Sequence, residues 1–82
     1  MSVVADQLRE YIENDVIEPG SVTQLTNETQ LWDEELIDSM GIMMLIAHIE
    51  SEYDVDVEVE DVDVENFKSV NKIAALVERK QA

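Results

Sequence analysis

At 82 residues the chain is one domain at most, residues 1–82, and too short to wall a deep cleft of its own. Twenty Asp and Glu against five Lys and Arg give a net charge of −15, which excludes nucleic acid as a direct ligand and disfavours an anionic membrane surface. With no Cys and one His, the chain has no disulfide, no thiolate metal site, no Cys nucleophile and no ordinary zinc site.

The expected partners of such a surface are proteins with basic patches. No apolar run reaches the roughly 18 residues of a membrane span, so no membrane insertion is expected. The opening Met1-Ser2-Val3-Val4-Ala5-Asp6 lacks a basic leader, and the expected location is the cytoplasm. Two Gly and one Pro are too few for many tight turns, which points to an all-α fold.

The first helix is expected over residues 2–17, with Ser2 as N-cap and Val4, Leu8, Tyr11, Ile12 and Val16 at helical spacing. Pro19 and Gly20 stop it. Residues 21–36 have no clean period. Val22, Leu25, Leu31, Trp32 and Leu36 are expected to tie this long loop down by packing inward.

A second helix is expected from Asp38 or Ser39 to Tyr53. Ile42, Leu45, Ile46, Ile49 and Tyr53 share one face and read as core. Met40, Met43, Met44 and Ala47 make a second apolar stripe, with His48 at its edge. A small surface helix needs only one such face. The stripe is either additional core or a docking surface, for which adaptable methionines are suited.

Residues 54–65 alternate valine with acid. No partner strand is apparent, so they are read as an extended loop with Val55, Val57 and Val59 turned inward, passing into a short helix near 61–67. Nine acids lie between Glu50 and Glu65 without a base. The glycine of an EF-hand loop is missing, so the run is read as a solvated face and no metal is assigned. The last helix is expected over residues 70–80, capped by Ser69, with Val70, Ile73, Ala74 and Val77 inward and Arg79 and Lys80 matching the helix dipole.

No catalytic constellation is present, and the chain is not read as an enzyme. His48 lies nine residues past Ser39 on another side of the same helix and cannot serve it. Ser39 remains the one candidate for chemistry. It opens the second helix, where free N–H groups and the dipole favour an attached phosphate. By spacing alone it reads first as a plain N-cap.

Leu36-Ile37-Asp38-Ser39-Met40, after a long loop and opening an acidic amphipathic helix, resembles the attachment motif of the acyl and peptidyl carrier proteins. The 45–53 run resembles the family's Leu-Val-x-x-Leu-Glu-x-x-Phe segment, and Phe67-Lys68-Ser69-Val70 followed by Ile73 resembles the opening of its last helix. The resemblance covers nearly the whole chain. It implies a four-helix acyl-carrier-like bundle with a long first loop and a short third helix. It also implies 4′-phosphopantetheine on Ser39, with Asp38 as the motif neighbour and an acyl or aminoacyl thioester on the arm. The thiol then belongs to the cofactor, so a chain without Cys can work through one.

The implied partners are a phosphopantetheinyl transferase, an acyl- or aminoacyl-activating ligase and downstream acyl-transfer or synthase enzymes. The Met40, Met43, Met44 and Ala47 stripe is the expected docking surface of a monomer. Leu36-Ile37-Asp38-Ser39-Met40-Gly41 is similar to the D-alanyl carriers. Gly41 and Met44 stand where fatty acid carriers have acids, which points to a free-standing carrier of a specialised pathway. The alternatives are a D-alanyl carrier, a housekeeping fatty acid carrier or, outside the family, an acidic interaction module with Ser39 unmodified.

Overall fold

A computed structural model describes residues 3–17 and 25–81. The expected Ser2 cap, the Pro19-Gly20 stop and the inward Val22 lie outside them. Three α-helices appear in chain order: α1 (Val3–Tyr11), α2 (Ser39–Tyr53) and α3 (Val70–Gln81). Among the described residues there is no strand, and the all-α class holds.

The expected first helix changes character midway. After Tyr11 the backbone widens into a π-helical turn, Ile12–Val16, which ends at Ile17 in extended backbone. Leu8 and Ile12 are fully buried and Ile17 nearly so, so apolar spacing is kept through the change. α1 packs chiefly on α3, while the π turn packs on α2. The core joins Leu8 and Ile12 to Leu45 and Ile49 of α2 and to Phe67, Ile73 and Val77 at and within α3.

The described part of the long first loop is tied to the start of α3. The Leu31 N–H donates to the Lys68 carbonyl at 2.8 Å, and the Asn71 N–H to the Asn27 carbonyl at 2.9 Å. Leu25 and Leu31 are buried, and Trp32 and Leu36 pack partly against the core, as expected. Residues 31–35 form a turn closed like a helix C-terminus. The Leu36 N–H reaches the Leu31 carbonyl at 2.9 Å, and the Glu35 N–H reaches the Trp32 carbonyl at 3.0 Å. Glu35 takes the left-handed conformation at φ 57° that this closure requires, in a place where glycine is usual.

The segment after α2 departs from expectation in two ways. Val55 and Val57 pack partly against the core, but Val59 is 85% exposed. The short third helix over 61–67 is absent as an α-helix: a 3-10 turn, Val59–Asp61, stands there, followed by turns up to Phe67. Polar side chains compete with helical bonding here. Asp61 accepts the Glu58 N–H at 2.9 Å, Asp63 accepts the Asn66 N–H at 2.8 Å, and Asn66 Nδ2 donates to the Asp61 carbonyl at 2.9 Å.

Asp61 also ties this segment to α3, through Lys80 Nζ at 2.6 Å. The Lys80 hydrogen bond, and then the Glu58 N–H, hold the Asp61 carboxyl below its ordinary range. The same bond raises Lys80 above its own. A depressed carboxyl stabilises the fold above its unfolded value, and that stabilisation is lost as pH falls through the folded value. A raised lysine loses its share as pH rises through its folded value. Wild type should therefore melt above Asp61→Asn at neutral pH, with the gap closing in acid below the ordinary carboxylate range. A gap in Tm that persists unchanged into strong acid would show that the pair is not its source.

Candidate functional site

α2 begins just past the hydrogen-bonded turn at 31–35. Asp38, not Ser39, is its N-cap: the Asp38 carboxylate accepts the Gly41 N–H at 2.9 Å, and its carbonyl accepts the Ile42 N–H at 3.0 Å. The plain-cap reading of Ser39 is therefore corrected. Ser39 is the first helical residue, exposed, and its hydroxyl has no partner among the described residues. The Ser39 and Met40 N–H groups at this end have no intrahelical acceptor, and the positive end of the helix dipole lies here.

Beside this end lies a groove of about 350 Å³. Val16, Leu36, Met40 and Met44 supply its apolar lining, and Glu35 and Asp38 its carboxylates. Gly41 lets the π turn approach α2. A Cβ there would meet Val16 Cγ1 at 3.2 Å and Ile37 Cβ at 3.3 Å.

The second apolar stripe is surface rather than core. Met40 and Met43 are 71% and 70% exposed, and Met44 and Ala47 are also exposed. Met40 and Met44 reach the groove beside Ser39; Met43 and Ala47 continue the stripe along α2.

His48, expected at the rim, is half-buried and engaged. Its ring stacks on Tyr11 with centroids 3.7 Å apart and planes 7° from parallel, and Tyr53 meets it edge-on at 6.4 Å. Tyr53 in turn donates its hydroxyl to Gln7 Oε1 at 2.8 Å, and burial, then the Glu52 charge, raises its phenol above the ordinary value. A helical wheel of α2 places His48 correctly but carries no sign of Tyr11, which arrives from another element.

Residues 4–77 match the family described as "Phosphopantetheine attachment site". The D-alanyl carrier protein of Lactococcus lactis subsp. lactis (strain IL1403) is 36% identical over 70 residues, covering 82% of this chain and 89% of that protein. The D-alanyl carrier protein of Staphylococcus saprophyticus subsp. saprophyticus is 31% identical over 75 residues, covering 92% and 88%. A chain in the solved structure described as "Crystal structure of FAD-dependent dehydrogenase" superposes with a TM-score of 0.77 at 31% identity, over 85% of this chain and 97% of that one.

A phosphodiester-linked arm needs an exposed hydroxyl, unpaired N–H donors beside it and room alongside. The Ser39 end of α2 offers all three. The chain belongs to the phosphopantetheine-attachment family of carrier proteins, resembles its D-alanyl carriers, and takes 4′-phosphopantetheine as its covalent cofactor.

Proposed function

We propose that Ser39 Oγ holds the 4′-phosphopantetheine arm and that residues 1–82 act as one carrier domain for an aminoacyl group, with D-alanine the favoured cargo. The observation that carries this reading is the likeness to D-alanyl carriers over most of the chain, joined to an exposed and unengaged Ser39 hydroxyl. When bound, the arm supplies a thiol for thioester formation. The chain itself presents and orients. Asp38 holds the helix start, leaving the Ser39 hydroxyl accessible, and the hydrogen-bonded turn at 31–35 behind it supports where the arm begins.

Chemistry belongs to the partners: a phosphopantetheinyl transferase, an ATP-dependent aminoacyl ligase and an acyl-transfer enzyme, all working in the cytoplasm. No described helix is long and apolar enough to cross a membrane. Met40, Met43, Met44 and Ala47 form the apolar contact for these enzymes, and the acidic surface speeds encounter with basic ones. A second reading draws on the FAD-dependent dehydrogenase structure: the tethered group is oxidised on the carrier, losing a hydride and a proton to the flavin.

Intact mass of the protein from its own source tests the assignment. One arm plus an alanyl increment is the expected result. An acyl increment two hydrogens lighter than that of the group the ligase loads would favour the flavin reading. A bare chain that also refuses the arm from coenzyme A and a promiscuous transferase would sink both. In the same loading assay, Met40→Gln with Met43→Gln keeps helix propensity and should lower ligase kcat/KM about tenfold, as truncated interface anchors do. An unchanged kcat/KM would remove the stripe from docking.

A further inference from the structure

A second groove, of about 330 Å³, lies between the α1 end and α2, away from Ser39. His48 is nine residues along α2 from Ser39, roughly 13 Å at helical rise. Its wall is the aromatic set Tyr11, His48 and Tyr53, all half-buried and all lining the groove. Glu10, Asp15 and Glu52 line the same groove and are exposed.

None of these three carboxylates forms an ion pair among the described residues. Arg9, the one cation of α1, pairs with Asp6 and Glu13 and donates to Asn27. The groove thus joins flat aromatic surface to uncompensated negative charge and holds no cation of its own. The π turn shapes it, since Asp15 lies in the widened segment that begins just after Tyr11. The stacked rings are fixed by their mutual contact and by the Tyr53 hydrogen bond to Gln7, so the wall is formed in advance.

We infer that this α1–α2 groove is a second docking point, which takes an arginine side chain of a partner protein. A guanidinium is planar, always charged and weakly hydrated. It stacks on aromatic surface while its N–H fork reaches carboxylates, which a lysine ammonium does not match. The groove borders the methionine stripe at His48 but shares none of its four residues, and the inference does not depend on what Ser39 bears. A partner could grip the carrier here while the Ser39 end remains free to enter its active site.

The single histidine provides the readout, because its imidazole proton signals are unique in the chain. The full-length protein is titrated with the peptide acetyl-Gly-Arg-Gly-amide and with its lysine counterpart. The arginine peptide should shift the His48 signals saturably, and the lysine peptide several-fold more weakly. Glu10→Gln, Asp15→Asn and Glu52→Gln combined should weaken arginine binding by about tenfold or more, about threefold for each exposed pair lost. Asp33→Asn, Glu34→Gln and Glu60→Gln remove equal charge elsewhere and should leave binding within about twofold, the screening change alone.

Equal shifts from both peptides, or equal weakening in the two triple variants, would reduce the effect to general attraction and overturn the proposal. The ring-shifted His48 and Tyr11 signals of the unbound variants report whether the stack is intact. Should the combined variant lose the stack, Glu52→Gln alone decides. A threefold loss supports the groove, and none overturns it.

Discussion

Ser39→Ala should abolish arm loading altogether, leaving the chain at its unmodified mass after incubation with coenzyme A and a promiscuous transferase. The loss should be complete because, among the described residues, no other serine offers an exposed hydroxyl at a helix start. Ser51 and Ser69 are the other serines among the described residues. Ser69 is buried, with its Oγ accepting the Lys72 N–H at 3.3 Å, and Ser51 lies within α2, where backbone N–H groups are already bonded. The fold should be unaffected, since the Asp38 cap does not involve the Ser39 hydroxyl. Arm mass persisting in a well-folded Ser39→Ala protein would move the attachment site elsewhere.

Phe67→Ala should come close to unfolding the protein. Phe67 is the largest of the fully buried side chains, and it precedes Lys68, whose carbonyl receives the Leu31 N–H. Truncating a buried phenylalanine costs about 3–5 kcal/mol. A chain of this length has total stability of about 4–12 kcal/mol. Thermal melting should fall by about 15 °C or more, given the small unfolding entropy of so short a chain. The first loop, hung from the Lys68 carbonyl, should loosen first and take the start of α2 with it. A drop below about 5 °C would mean that the core closes over the gap, contrary to the packing seen around Phe67.

The parts of the fold most legible in the sequence are those set by local periodicity. The bounds of α2, its buried Leu45 and Ile49, the start of α3 and the Ser69 cap all follow from apolar spacing and cap chemistry within a few residues. The parts that escaped depend on contacts across the chain. The π turn keeps apolar residues at spacings that read as ordinary helix, so nothing local separates it from α1. The turn at 31–35 ends on Glu35 rather than glycine, which removes the usual mark of such a closure. Val59 continues an alternation that the Asp61 side chain interrupts by bonding back to the Glu58 N–H.

The candidate site divides the same way. Ser39 was legible as the residue of interest, but Asp38 and Ser39 are both good caps. Only the bond to the Gly41 N–H assigns the cap to Asp38. The methionine stripe was legible as an apolar face, and its exposure settles that it is surface. The aromatic wall around His48 was not legible, because its members come from both sides of a loop whose path the sequence does not specify.

The assignment of the cap to Asp38 reaches into the life of the protein in the cell. With helix initiation resting on a carboxylate that modification leaves alone, bare, armed and loaded chains share one helix start under the proposed function. Turnover by proteases follows the unfolded fraction, so the bare chain, which keeps its cap, should persist, and a phosphate at the dipole end should only add to the protection of the armed and loaded forms. A shortage of coenzyme A would then leave a standing reserve of intact, empty carrier rather than a shrinking pool. The ratio of loaded to empty chains would be set chiefly by the partner enzymes, and recovery would need no new synthesis of the protein.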